Sequence, residues 1–251
     1  MNQTKAFLST YCSDSFAGIT RLGIFGGMGN MTSAKFHYDT CLLSSRMPEM
    51  EQVQITLLSN PNILDRTTLL LAGRKQELVA PLNNNVRTLI NLGCSHVVIC
   101  CFTFHAMLDE LEEDLRKRVV ALPIYTRQEI FPSYKDKKIL ILCTKGSAYF
   151  KLFGEDENVM YPTIEDQQFV HQCIYRLKEG ETVDEVVPDL KKMLKKYQFD
   201  NMVMGCTDLH LITSDLMKAF GEEVIIDPLR VMTYDITNSW KKQVIKSNTI
   251  I

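Results

Sequence analysis

The chain has 251 residues, of which 45% are hydrophobic and 23% are charged. This composition is typical of a globular protein with its own core and argues against global disorder. With 28 Lys and Arg against 30 Asp and Glu, the net charge of −2 predicts no basic stripe for nucleic acid. No apolar run approaches the roughly 20 residues of a membrane span. We therefore expect neither nucleic acid nor a membrane as a partner.

The N-terminal 20 residues carry one lysine and one short apolar run, Ala6-Phe7-Leu8, which is unlike a signal peptide. We interpret residues 1–20 as a loose tail and expect a cytoplasmic protein. Its eight cysteines are then expected to be reduced, and they contain no Cys-x-x-Cys pair of the kind found in zinc ribbons.

Strands and helices alternate along the rest of the chain. Short apolar runs predict strands at residues 21–26, 53–58, 96–100, 119–124, 138–143, 201–204 and 223–226. Helical spacing predicts helices at residues 32–45, 74–92, 105–117, 164–179, 183–197, 208 onwards and 229–246. Such alternation predicts an α/β fold with parallel sheets flanked by helices.

The two halves of the chain place a cysteine at equivalent points. Cys101 follows the strand at 96–100 and Cys206 follows the strand at 201–204, and each has a histidine four residues later. Ligands of open parallel sheets bind outside the carboxyl ends of the strands. If the halves face each other, the two thiols converge on one cleft from opposite sides.

Three interpretations of this pair remain open from the residues alone. Both cysteines could be ordinary buried side chains, or they could join His105 and His210 as four zinc ligands. The third interpretation is a pair of thiols acting as general acid and base, one on each face of a carbon. In that case a helix N-terminus is expected to lower the thiol pKa, and the two histidines either tune the thiols or are merely buried in helices.

A glycine-rich loop at residues 23–30 follows the first strand and opens a helix. Its spacing does not fit a dinucleotide loop, because Thr32 stands where the third glycine is required. Its backbone N–H groups could instead bind a carboxylate, or the loop could be a turn without a ligand. Arg66 and Lys178 are similarly open: each could hold a carboxylate, and each could be a surface or helix-end charge.

The chain resembles the PLP-independent aspartate/glutamate racemases over about residues 21–235. The resemblance rests on several segments in register: LGIFGGMG at 22–29, NPNILDRT at 60–67, CFTFH at 101–105, TKGS at 144–147, YP at 161–162, QQ at 167–168, IYRLKEG at 174–180, GCTDL at 205–209 and IDP at 226–228.

The resemblance implies two pseudo-symmetric Rossmann-like domains with the active site in the cleft between them. The first domain would comprise residues 21–119 and 227–251, and the second residues 120–226. It also implies a homodimer without cofactor or metal that racemises a dicarboxylic amino acid, aspartate or glutamate.

The resemblance also assigns roles to residues of this chain. Cys101 and Cys206 would be the catalytic acid/base pair, and Arg66 and Lys178 would hold the side-chain carboxylate. Thr103, Thr207 and the glycine-rich loop would hold the α-carboxylate. The predicted substrate-binding set is completed by Met28, Asn60, Phe102 and Thr144.

Two residues depart from the family pattern: Phe102 replaces an Asn, and Asp208 replaces a Glu. The loss of the Asn amide puts the substrate in question. It supports an alternative in which the protein is a non-catalytic or altered-specificity dicarboxylate-binding relative. A relative that isomerises or decarboxylates its substrate through the same kind of carbanion is a further alternative. Decarboxylase relatives keep only one cysteine, and this chain has both.

Overall fold

Seven parallel strands form two sheets in the part of the chain that the computed structural model describes, residues 14–248. The first sheet has the order β2-β1-β3 and the second the order β5-β4-β6-β7. All strand pairs are parallel. The strands are β1 (Leu22–Gly26), β2 (Ile55–Ser59), β3 (His96–Ile99), β4 (Ile139–Leu142), β5 (Val159–Met160), β6 (Asn201–Met204) and β7 (Ile225–Ile226). The predicted α/β fold class is confirmed.

The central strands are apolar throughout because helices cover both faces of each sheet. Every residue of β1, β4 and β6 is buried, including the glycines of β1. The first three strands and the strands β4 to β6 have matching topologies, in which the third strand of each set pairs with the first. β3 and β6, which precede the two cysteines, are therefore equivalent.

Helices connect the strands, and several begin at side-chain caps. Thr163 accepts a hydrogen bond from the Asp166 N–H at the start of one helix, and Thr182 forms a capping box with Glu185 at the start of the next. The α-helices are α1 (Asn30–Ser44), α2 (Arg66–Leu71), α3 (Gln76–Asn91), α4 (Glu113–Arg116), α5 (Leu122–Tyr125), α6 (Lys145–Tyr149), α7 (Ile164–Lys178), α8 (Val183–Leu194), α9 (Thr213–Phe220) and α10 (Pro228–Asn248).

Three apolar clusters form the core. One lies under the first sheet and includes Leu82 and Val97, and a second lies under the second sheet and includes Leu140 and Ile174. The third, which we call the central cluster, contains residues of both sheets, among them Ile24, Val98, Ile139, Ile141 and Val203. The bounds of the two domains remain a prediction.

Several predicted elements were wrong in detail. Residues 119–124 do not form a strand: Val119 makes a single bridge to Val97, and Pro123 then lies in the first turn of α5. The segments after both cysteines are 3₁₀ helices, Phe102–Glu110 and Thr207–Leu211, instead of α-helices. The short helix α2 was not predicted.

The predicted tail is shorter than expected. Phe16 and Ile19 are fully buried in the central cluster, so the chain joins the core before residue 21. The rest of that prediction, and the signal-peptide argument for residues 1–13, lie outside the described residues. Within residues 14–248, no helix is both long enough and apolar enough to cross a membrane.

Candidate active site

Cys101 and Cys206 occupy equivalent places at the carboxyl ends of β3 and β6. Each has an extended backbone and starts a 3₁₀ helix, and their exposed fractions are 6% and 5%. We call residues 101–110 the Cys101 turn and residues 206–211 the Cys206 turn. A negative charge on Cys101 contributes to raising the pKa of Cys206, so the two thiols lie within electrostatic reach of each other.

A cavity of about 310 Å³ lies beside the Cys206 turn. This volume is at the small end of ligand pockets. The cavity is lined by the glycine-rich loop, by residues before and at the start of α2, by the end of α7 and by the Cys206 turn: residues 27–31, Ile63, Asp65, Arg66, Leu177, Lys178, Asp208 and Leu211. Three predicted site residues, Met28, Arg66 and Lys178, thus line one cavity.

Arg66 is buried at the first residue of α2, with 7% of its surface exposed. Its Nη1 donates to the carbonyls of Ile63 and Leu64, and its Nη2 donates to the carbonyl of Met28, each at 3.2 Å. Its Nε is buried and has no hydrogen-bond partner among the described residues. The guanidinium is therefore held by backbone oxygens but keeps a donor for a ligand.

Each thiol has a cation near it. Burial lowers the pKa of Arg66, but negative charge on Cys101 and Asp65 outweighs burial and leaves it raised. The ammonium of Lys178 lies 3.6 Å from Asp208 Oδ2, and its pKa is raised by Asp208, Cys206 and Cys101 in spite of burial. Two cations that line one cavity suit a ligand that carries a carboxylate.

Asp208 is a central residue that sequence reasoning treated only as a departure from the family. Its Oδ1 accepts a hydrogen bond from Thr32 Oγ1 at 2.9 Å, and its Oδ2 lies 3.5 Å from Cys206 Sγ and faces Lys178. A Cβ on Gly29 would lie 2.1 Å from Asp208 Oδ1. The last glycine of the loop is therefore required for the close approach of this carboxylate. The feature of the sequence that could have indicated this role is the position of Asp208 directly after Gly-Cys-Thr.

The expected lowering of the thiol pKa by a helix terminus is wrong for Cys206. Burial raises the pKa of Cys206 well above its ordinary value, and Asp208 raises it further, while Lys178 opposes the change. The Thr207–Leu211 3₁₀ helix is only one and a half turns long, so its dipole is small. Burial and Asp208 thus favour the thiol form of Cys206.

Cys101, Cys206 and the remaining predicted residues are not among those that line the cavity. Thr103 Oγ1 lies 2.8 Å from Thr144 Oγ1, which caps α6, so these hydroxyls connect the two halves. Thr207 donates to the carbonyl of Cys100 at 3.3 Å, which makes a second connection. Asn60 donates to Asn85 Oδ1 at 3.2 Å.

Phe102 is not placed at the cavity. Its ring is 1% exposed, belongs to the central cluster and lies 4.9 Å from the ring of Phe153. The prediction that Phe102 contacts substrate is therefore not supported, because the 3₁₀ turn after Cys101 directs this side chain into the core.

The two histidines after the cysteines differ. His105 Nδ1 lies 2.9 Å from the carbonyl of Cys101, and its Nε2 accepts from the Leu122 N–H, while burial lowers its pKa to about 4. His210 lies between Asp227 and Asp39. Both rings are engaged away from the thiols, and no group of three or more potential ligands in residues 14–248 is placed to hold a metal.

Comparison with known proteins adds independent information. The Asp/Glu/Hydantoin racemase family model matches residues 26–233. A glutamate racemase of Corynebacterium glutamicum is 24% identical over 141 residues, covering 54% of this chain and 52% of its own. A glutamate racemase of a Thermoanaerobacter species is 27% identical over 152 residues, covering 56% and 54%. This chain thus spans about half the length of the curated relatives it matches.

Solved structures agree in fold. An aspartate racemase from Picrophilus torridus superimposes with a TM-score of 0.74 and 20% identity, covering 88% of this chain and 94% of its own. A glutamate racemase from Campylobacter jejuni gives a TM-score of 0.52 and 16% identity, covering 89% and 85%. The sequence match over most of the chain, together with this fold and the paired cysteines, shows that the chain belongs to the Asp/Glu/Hydantoin racemase family.

Proposed function

We propose that the protein racemises a dicarboxylic amino acid, aspartate or glutamate, by transferring protons between Cα and the two cysteines without a cofactor. The observation that carries this proposal is the pair of equivalent strand-end thiols, each with a nearby cation that lines the same cavity. A pair of acid/base groups on opposite faces of a carbon is what inversion of a stereocentre requires.

The proposed reaction proceeds in two proton transfers. The thiolate of one cysteine removes the α-proton, and the electron pair of the broken C–H bond is delocalised into the α-carboxylate. The thiol of the other cysteine then delivers its proton to the opposite face, which leaves the thiolate on that side. Because burial favours the thiol form of Cys206, Cys206 acts first as the acid, and the roles of the two cysteines reverse in the other direction.

We assign the distal carboxylate of the substrate to Arg66 and Lys178. Both side chains line the cavity, and Arg66 Nε is a buried donor without a partner among the described residues. The α-carboxylate would then lie nearer the thiols, where N–H groups of the glycine-rich loop and of the Cys206 turn can stabilise the negative charge that develops on it.

The alternative of a non-catalytic binding protein has less support than the sequence suggested. Its main support was Phe102 in place of a polar residue, and that ring lies in the core. An enzyme and a binder differ in one direct measurement: the enzyme introduces deuterium from solvent at Cα, and the binder does not.

The decisive experiment incubates the purified, reduced protein with each enantiomer of aspartate and glutamate in deuterium oxide. Chiral chromatography and mass spectrometry then follow inversion and deuterium incorporation. We expect both with at least one of the two amino acids, without added PLP. Activity that requires PLP, or binding without exchange, would contradict the proposal.

Substitution of the cysteines tests the mechanism. Cys101→Ser and Cys206→Ser should each lower the rate of racemisation by about 10³-fold or more, since a serine hydroxyl is a far weaker acid/base group. Each variant should retain exchange of the α-proton of one enantiomer at most. Cys41→Ser, which changes a half-exposed cysteine of α1, is the matched control and should keep wild-type turnover. Wild-type turnover in Cys206→Ser would exclude the two-thiol mechanism.

A further inference from the structure

His210 is a buried side chain of the Cys206 turn that the proposed reaction does not use. It lies four residues after Cys206, and its ring is 3% exposed. Its Nδ1 is 2.5 Å from Asp227 Oδ2 and its Nε2 is 3.0 Å from Asp39 Oδ2. The Nε2 contact with Asp39 is an ion pair without the geometry of a hydrogen bond, whereas Nδ1 is hydrogen-bonded to Asp227. A carboxylate at each ring nitrogen favours the doubly protonated, cationic imidazole.

The two carboxylates belong to different parts of the fold. Asp227 follows β7 and starts α10, where its Oδ1 accepts from the Leu229 N–H at 3.0 Å, and its Oδ2 also accepts from Thr213 Oγ1 at 2.7 Å. Asp39 lies on α1 and also pairs with Lys35 at 2.6 Å. The ring thus joins the Cys206 turn to α1 and to the start of α10, and Asp227 extends this connection to α9.

Helix α1 holds the same turn at a second point. Thr32 donates to Asp208 Oδ1, and Asp208 Oδ2 lies 3.5 Å from Cys206 Sγ. Thr32 and Asp39 are seven residues apart, which places them on one face of α1 two turns from each other. Asp208 and His210 are two residues apart on the turn. Two contacts with one rigid helix therefore fix how the Asp208 carboxylate is placed against the thiol.

We propose that His210 is a positioning residue for Cys206, whose ionised ring between Asp39 and Asp227 holds the Cys206 turn so that the thiol faces the reacting carbon. This inference rests on the proposed racemisation. His105 differs, because its hydrogen bonds are all to backbone groups and it holds the Cys101 turn as a neutral ring. The two cysteines are thus supported by different chemistry.

The charge on His210 is present at neutral pH. Burial lowers its pKa, but Asp227 and Asp39 outweigh burial and raise it to about 9. The other charged groups near the ring line a second cavity of about 340 Å³ on this side of the turn: Lys35 of α1, Arg46 just after α1, and Arg230 of α10, which pairs with Glu222. Lys35 opposes the protonation of His210 but does not prevent it.

The kinetic test uses His210→Gln and Asp39→Asn, which remove charge but keep side-chain size. We expect kcat/KM to fall by about tenfold or more, as for a small misplacement of a catalytic group. The two enantiomers have equal free energies, so kcat/KM must fall equally in both directions, and isotope effects are needed to identify the affected thiol. His37→Gln, which changes a half-buried histidine elsewhere on α1, is the control.

A misplaced Cys206 slows only the proton transfer that it performs. The isotope effect of α-deuterated substrate on kcat/KM should rise for the enantiomer from which Cys206 removes the proton and should fall for the other. The solvent isotope effect should fall for the enantiomer from which Cys206 removes the proton and should rise for the other. Equal changes for both enantiomers, or none, would mean that His210 has only a structural role and would overturn the proposal.

A second measurement does not need activity. The rates at which iodoacetamide alkylates Cys206 and Cys101, followed by mass spectrometry of the two peptides, should change for Cys206 alone in His210→Gln and in Asp39→Asn. Equal acceleration at both thiols would overturn the inference. If the wild type proves not to be a racemase, the proposed function fails, and the alkylation rates alone decide whether His210 positions Cys206. If His210→Gln does not fold, Asp39→Asn supplies both readouts.

Discussion

The ionised His210 predicts a specific dependence of stability on pH. Its pKa is about 9 in the folded protein, against about 6.5 for an unperturbed histidine. Because the folded pKa is raised, the stabilisation is fully present below pH 6.5 and is lost as the pH rises through 9. A difference of about 2.5 pKa units corresponds to about 3 kcal/mol at 1.36 kcal/mol per unit.

The variant His210→Gln removes this contribution. The difference in free energy of unfolding between wild type and variant should therefore shrink by about 3 kcal/mol between pH 6 and pH 10. Urea unfolding can be followed by the fluorescence of Trp240, the single tryptophan, which lies against the carbonyl of Glu51. Parallel stability curves for wild type and variant over this range would refute the ion-pair argument.

His105 provides the opposite case in the same molecule. Burial lowers its pKa to about 4, so its contribution is present above pH 6.5 and is lost as the pH falls towards 4. The difference between wild type and His105→Gln should consequently be constant from pH 7 to pH 10. A decrease in that alkaline range would show that the pH dependence does not report on the His210 charge.

Two further substitutions separate folding from substrate recognition. In Arg66→Lys, the lysine cannot reach the three carbonyls that the guanidinium binds, so the free energy of unfolding should fall by about 2 kcal/mol. The same change should lower kcat/KM for the dicarboxylic substrate. Urea unfolding and initial rates measure the two effects, and unchanged rates would mean that Arg66 does not bind the substrate. Phe102→Asn should destabilise the protein by about 3 kcal/mol, because it removes a ring packed on Phe153. The KM of the folded protein should stay unchanged. A changed KM without loss of stability would show that Phe102 takes part in substrate recognition.

The sequence predicted those features of the site that depend on the order of the strands. Cysteines after two equivalent strands of parallel sheets must lie at the carboxyl edges of those sheets, and the structure places Cys101 and Cys206 there. Arg66 and Lys178, far apart in the chain, line one cavity as expected from the family resemblance. These predictions needed only the alternation of strands and helices and a few recognisable segments.

The sequence did not predict the features that depend on the direction of side chains in tight turns. A 3₁₀ helix turns by a third of a circle per residue, so the residue after Cys101 leaves the cavity and enters the core. The Asp39–His210–Asp227 group joins α1, a turn and the residue after β7, and no local pattern relates these three positions. The raised pKa of Cys206 likewise follows from burial, which is a property of the assembled fold.

The central cluster determines whether the two halves of the protein can unfold separately. It takes Ile24 and Val98 from the first sheet and Ile139 and Val203 from the second, so moving either sheet away exposes apolar surface of both. Neither half keeps a complete core when its partner unfolds. Calorimetry should accordingly record a single heat-absorption peak whose measured enthalpy equals its van't Hoff enthalpy. A substitution that destabilises the core near one cysteine will then lower the melting temperature of the region around the other cysteine as well.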